Sequence, residues 1–551
     1  MTDTKCDKDL NTPAGTSTRR QFLRSSALAT GAAVAVPMAS ALPISADAAV
    51  IERNRRQRRN TALQVRSDAA IEQWSLPLPA HQDNGDEAAY ANKIGSFTKG
   101  LPHDGDGEVD PRAFRRLKRA LRRADGARFE AIPLGGQRKL ANPQATFAYS
   151  MEGADSHATS MPKAPAFAGR DQVAEIVEVY WHALLRDVPF GDYESHPLVA
   201  LAVADLNRFK YFKRRYNGPV TPANLFRGET PGDLVGPYVS QWLLKDVPFG
   251  AQTLQQRYDV DIAGLDFMTS FEEWLEVQRG NVPGVAVFDH TPRLISDGRR
   301  LGSYVHVDFT YQAYLNAAQI IAGGLGINPW DPRLPYANSD TQGRFVTFGG
   351  GDLLSLVAKA AHEALKAAWF HKWQVHLRLR PETFGGRIHQ TITGARDYPI
   401  HASASRVQVF DETFSRTGSY LLPMAYPEGS PTHPAYPAGH ACIAGACTTV
   451  MKAFFDETLA VPNPVQATAD GLTLTPYAGD ALTIGGELNK LASNIALGRD
   501  IAGVHWRTDG TEGLLVGEQV AIGILRDQRN IYNEDFDGFA FTGFNGNLIT
   551  V

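Results

Sequence analysis

The chain has 551 residues, a formal net charge of −4 and 43% hydrophobic residues, material for a large core and, on length alone, for two or three domains. No basic face stands out in this composition, and no run of about 18 apolar residues follows the first fifty, which argues against nucleic acid, an anionic membrane surface and a spanning helix in the mature chain. A small solute suits this balance better.

The first fifty residues read as an address. Thr18-Arg19-Arg20-Gln21-Phe22-Leu23 is a twin-arginine pattern, a stretch rich in Ala and Ser follows, and Ala46-Asp47-Ala48 is a small-x-small cleavage site. Residues 1–48 are expected to direct export of the folded protein to a periplasmic or extracellular location. Cys6 leaves with that segment. Cys442 and Cys447 lie five apart, roughly 140° around a helix, which suits small buried core residues rather than a disulfide.

The basic run Glu52–Arg59 reads as a solvated segment. Residues 49–170 read as an N-terminal extension of loops and short helices, with a polar loop at Gly105–Glu108, an amphipathic basic helix near 112–123 and a linker at Pro162–Pro165. From 171 to 551 helical periodicity dominates. Leu184–Gly191 recurs as Leu243–Gly250, which predicts two helices ending in the same kind of turn, since two copies do not make a solenoid. β-type alternation is short and scattered, as at Val407–Phe410, so the fold class is all-α with long connecting loops and little β. Helical bundles offer an interior where side chains from facing helices converge on an ion.

Three segments within 350–520 carry the chemistry. In the first, a helical stripe runs from Leu353 through Leu356, Val357, Ala360, Ala361, Ala364, Leu365 and Ala368, with Asp352 as its expected N-cap. Four residues beyond Ala368 the stripe reaches Lys372, which places a lysine on the core side, where an anion or carboxylate must meet it. Arg380 stands before Pro381, where the helix must stop, and its fork grips two oxygens; Arg378 and His376 are more peripheral. The second segment, Thr432–His440, leads through prolines into a small-residue helix from Ala441 to Phe455. Backbone N–H groups of Ala438 and Gly439 are expected to point forward at the helix start, a position that favours anions, with His440 in the first turn. In the third, Arg499 closes a helical run, Gly503 breaks it, and Asp509 lies four residues after His505, placed to accept an Nδ1 proton and orient Nε2. Three fixed cations and two imidazoles suit a tetrahedral or trigonal-bipyramidal oxyanion such as phosphate or vanadate: the cations hold peripheral oxygens, one imidazole bonds the central atom and the other moves protons.

Together these segments resemble the vanadium-dependent haloperoxidases, and the type 2 phosphatidic acid phosphatases and bacterial acid phosphatases that share their fold. Asn217–Arg227 and Gly236–Gln241 are also similar to the algal-type and bacterial haloperoxidases, and the eight-residue step from Lys372 to Arg380 matches that branch better than the fungal one. The resemblance implies two four-helix bundles with the site at one bundle's end. It implies vanadate held by Lys372, Arg380 and Arg499 with the Gly439 amide, vanadium bonded to His505, and His440 as the acid–base group. It further implies that His433 tunes peroxide or halide handling and that His371 lies near the halide pocket. One departure is visible: where the family has Pro-Ser-Gly-His, this chain has Pro437-Ala438-Gly439-His440, removing a hydroxyl from the anion-binding position 438 at a cost of roughly 1–3 kcal/mol if nothing replaces it. The expected activity is oxidation of a halide, bromide first, by hydrogen peroxide, with a small organic acceptor. The rival is a phosphomonoesterase in which His505 attacks phosphorus, and a third class is an oxyanion-binding protein without turnover. A structural calcium ion and a homo-oligomer are left open.

Overall fold

The computed structural model describes the backbone from Ala46 and the side chains from Asn54 to Val551; the twin-arginine segment lies outside the described residues. Val65–Val551 forms one compact unit, so the Pro162–Pro165 segment falls within it. The described part of the other unit, Met1–Gln64, is the start of a helix, Ala46–Ser75, exposed at Arg58 and Arg59.

Sixteen α-helices and eight short strands occur among the described residues, the strands in four two-stranded antiparallel sheets. Seven helices matter for the site: α1 (Arg170–Leu184), α2 (Gly298–Val307), α3 (Gly350–Phe370), α4 (Pro381–Ile392), α5 (Gly439–Phe454), α6 (Ile484–Ile501) and α7 (Arg507–Arg529). Helices α3, α5, α6 and α7 pack as a four-helix bundle. The predicted stripe of α3 is its buried face, with Leu365 only partly buried. Helix α5 is buried almost all round because it is built of small residues, and α7 comes very close to it. A Cβ on Gly445 would stand 2.1 Å from Leu514 O, and one on Gly517 2.1 Å from Cys442 O, so only glycine permits this crossing. Cys442 and Cys447 are buried and unbridged within it.

A second core gathers α1 around Trp181 with Phe384 of α4, Phe410, Leu422 and Trp506. A third, smaller one joins Phe114, Leu117 and Leu121 to Trp373 and Leu377. Among the described residues no helix is long and apolar enough to cross a membrane.

Three local expectations are corrected. Asp352 is not the N-cap of α3: Gly349 holds that place, and the Asp352 carboxylate reaches back to accept from Phe348 N at 3.0 Å and Tyr532 Oη at 2.8 Å. Val407–Phe410 is no strand, because Val409 and Phe410 open the helix Val409–Thr417 and turn into the second core; four alternating residues are too few to separate the two periods. The repeated octapeptide does not end two matching helices. Its first copy follows α1, whereas the second follows a 3-10 turn, Gln241–Leu243, and enters the strand Val247–Phe249, where cross-strand pairing with Gln252–Leu254 decides the conformation.

Candidate active site

The site lies where the loops before α4, α5 and α7 meet. Helix α3 runs on into a wider π-helical stretch, His371–His376, which ends at Leu377 in the left-handed region (φ 44°). π-Helical turns of this kind are frequent at functional sites. Lys372 is thereby carried inward and is fully buried, its Nζ donating to Pro434 O and Ala435 O, both at 2.8 Å. Pro381 then starts α4, which leaves Arg380 extended as its N-cap. Arg380, also 0% exposed, donates to His433 O (3.0 Å), Val504 O (2.8 Å), His433 Nδ1 (3.0 Å) and His505 Nε2 (2.9 Å).

His505 enters from the turn between α6 and α7, made by Gly503 at φ +85°. Its Nδ1 meets Asp509 Oδ2 at 2.8 Å. Asp509 also accepts from Trp506 N at 3.2 Å and from Arg378 Nη1 at 2.8 Å, and Arg378 is itself paired with Glu175 at 2.7 Å. With an arginine donating to Nε2, the imidazole carries its proton on Nδ1 toward Asp509 and keeps the Nε2 lone pair inside the cation cluster. His505 and Asp509 therefore interact as the i,i+4 spacing suggested, although His505 precedes α7 and only Asp509 is on it.

Arg499, near the end of α6, donates to Val305 O at 2.6 Å and lies over the Tyr426 ring at 5.5 Å; its buried Nε has no protein partner. His440 occupies the first turn of α5 and pairs with Asp308 at 2.9 Å, its side chain 30% exposed. Both contacts lie at the C-terminal end of α2, one turn apart. The amide of Ala438 does not face an anion as expected, since it donates to Asp509 O at 2.8 Å. That bond ties the entry of α5 to the start of α7. Ala438 itself is fully buried and brings no polar side-chain atom to this helix start. The Gly439 amide, first in α5, has no acceptor among the described residues.

Burial governs the charge states. It pushes the Lys372 ammonium well below its usual range, helped by Arg380, and lowers Arg380 to about 9. Burial first, and then the surrounding cations, hold His505 and His433 well below the usual histidine value, so both imidazoles are neutral. Burial raises the Asp509 carboxyl, against the pull of Arg378 and Lys372. Lys372, Arg380 and Arg499 thus converge where Asp509, already engaged with Arg378, and Glu382, already paired with Lys99, offset their charge only in part.

Lys372, Arg380, Arg499, His433, His505 and Asp509 are brought together, and His440 stands beside them on the half-exposed side. His371 is separate: its Nε2 meets Thr159 Oγ1 at 3.0 Å, and its ring neighbours are His81, Phe370 and His376. Sequence reasoning missed Asp308, 132 residues before its partner His440, with no local pattern to mark it. It also left unassigned the bracing of Asp509 by Arg378, and the Trp369 ring against His433, 4.7 Å between centroids.

Residues 352–534 match the family model for the VCPO second helical-bundle domain. The chain is 36% identical to a vanadium-dependent bromoperoxidase of Corallina pilulifera, covering 85% of this chain and 94% of that one. It is 34% identical to one of Ascophyllum nodosum, covering 85% and 88%. The solved homohexameric structure of the second vanadate-dependent bromoperoxidase from Ascophyllum nodosum superposes with a TM-score of 0.84 at 28% identity, over 97% of this chain and 96% of that one.

Proposed function

This chain belongs to the vanadium-dependent haloperoxidases, and on that premise we propose that it uses bound vanadate to oxidise bromide with hydrogen peroxide, one proton being consumed as hypobromous acid and water form. The observation that carries the proposal is the buried triad Lys372, Arg380 and Arg499 around His505 Nε2, with the opposite ring nitrogen fixed by Asp509. The residues fit an oxyanion. The Nε of Arg499 is buried without a partner, Gly439 offers a helix-start amide, and the three cations lack a counter-charge that vanadate brings.

In this reading the cations would hold the oxygens, the Gly439 amide would add a donor, and His505 Nε2 would ligate vanadium. Nε2 must first give up its contact with Arg380. Bound vanadate supplies Lewis acidity and oxygen transfer to the halide. His440, partly exposed and held by Asp308, would move protons between solvent and the bound anion. His433, neutral and fixed by Arg380, shapes the halide side with Trp369, and His371 acts only through the π turn that carries Lys372. A small organic acceptor is halogenated outside the cradle. Export by the twin-arginine route, which rests on Arg19 and Arg20, and a homo-oligomer like the hexameric relative belong to the same proposal.

The test is bromination of a dye by the purified protein with peroxide, with and without added vanadate, beside hydrolysis of a chromogenic phosphate ester. Vanadate-dependent bromination with little ester hydrolysis is expected; efficient hydrolysis without bromination overturns the reading in favour of the phosphatase.

A further inference from the structure

The basic helix Pro111–Arg123, which the oxidation chemistry leaves unused, carries six arginines, one lysine and no acid along thirteen residues. Although no basic face stands out from the composition, the fold makes one. The apolar residues Ala113, Phe114, Leu117, Ala120 and Leu121 are buried, so the arginines are gathered on the outer side. Arg112, Arg115, Arg116, Arg119, Arg122 and Arg123 are all exposed. The available acids neutralise little of this. Lys118 meets Glu87 at 2.8 Å, Arg112 stands 3.8 Å from Asp110, and Arg128 lies 3.2 Å from Asp125. Arg115, Arg119, Arg122 and Arg123 have no carboxylate within 4.0 Å among the described residues. Arg119, Arg122, Arg123 and Arg128 line one open groove of about 520 Å³.

We propose that this face is a docking surface for a sulfated polysaccharide. Guanidinium forks match tetrahedral sulfate oxygens in pairs, which ammonium groups do not. From Arg112 to Arg123 the row spans roughly 16 Å at helical rise, so several sulfates on one chain engage it together. No aromatic ring on the helix is free to stack a base, since Phe114 is buried, as is the adjacent Phe129. No apolar side chain of the helix is free to enter a bilayer. The inner side packs in the small core with Trp373 and Leu377, and Gln374 Nε2 donates to Leu121 O at 3.4 Å. A polymer bound here is therefore held directly behind the π turn that carries Lys372.

The test is binding of the full holoenzyme to dextran sulfate at physiological salt, compared with a variant carrying Arg115→Gln, Arg119→Gln, Arg122→Gln and Arg123→Gln, which preserves helix propensity. Wild type is expected to bind with strong salt dependence, the variant about tenfold more weakly or worse, with halide oxidation unchanged. A variant with lysine at the same four positions should fall between them. Absence of wild-type binding, equal binding by the glutamine variant, or equally tight binding of duplex DNA or anionic phospholipid vesicles would overturn the proposal.

Discussion

At the scale of single residues, the neutral His505 ring is the clearest case of environment setting chemistry. Its Nδ1 proton is fixed by Asp509, which is itself braced by Arg378 and the Trp506 amide, so the lone pair on Nε2 faces the cation cluster, where Arg380 donates to it. Position 438 shows the reverse, a missing group. Ala438 is the N-cap of α5, fully buried and extended at φ −68°, ψ 128°, a geometry in which serine caps better than alanine. Ala438→Ser should add one hydroxyl donor beside the anion, and a charge-assisted bond there contributes about 1.5–3 kcal/mol. Vanadate titration is expected to show tighter binding in the serine variant, with faster bromide oxidation at limiting vanadate. No gain in either would mean that the role is already filled.

At the scale of elements, the site depends on how helices end. The π-helical stretch turns Lys372 inward, Pro381 halts the chain after Arg380, and Gly503 bends it between Arg499 and His505. A Cβ on Gly503 would stand 2.8 Å from Met424 Sδ, and its φ of +85° disfavours any other residue. Gly503→Ala should therefore cost about 1–3 kcal/mol of stability and, by displacing His505, weaken vanadate binding more than the same loss of stability elsewhere. Denaturant titration and vanadate titration on one preparation check this; full affinity in a destabilised variant would refute the link between turn and site. These ends were largely legible in the sequence, because proline, glycine and helical periodicity act locally: the core-side place of Lys372 beyond α3, Arg380 before Pro381, and His440 in the first turn of α5 all followed from spacing, whereas the π turn that carries Lys372 inward did not. Asp308 was not legible, since the fold alone brings it to His440. The commitment of the Ala438 amide to Asp509 O was hidden for the same reason, both being contacts across helices rather than along one.

At the scale of the molecule, the fold buries several histidines in neutral form, and this sets its response to acid. Burial holds His371 and His376 at about 3, against an ordinary value of 6.5. The unfolded chain takes up protons on these rings below pH 6.5 while the folded one does not. Their contribution to stability is therefore complete above that value and is lost as pH falls from 6.5 toward 3, at about 1.4 kcal/mol per pH unit for each ring. The protein should unfold at distinctly lower urea at pH 4.5 than at pH 7, and His371→Gln should narrow that difference. An identical difference in the variant would show that His371 is not among the groups responsible.

The proposed role of His505, to bond vanadium inside the cradle of Lys372, Arg380 and Arg499, is open to direct test. The most direct measurement is calorimetric titration of orthovanadate into wild type, Arg499→Ala and His505→Ala, each first shown by circular dichroism to be folded. Arg499→Ala is expected to weaken binding through lost charge, and His505→Ala to weaken it further through loss of the bond to the metal. Vanadate affinity in His505→Ala equal to that of wild type would rule out His505 as the vanadium ligand.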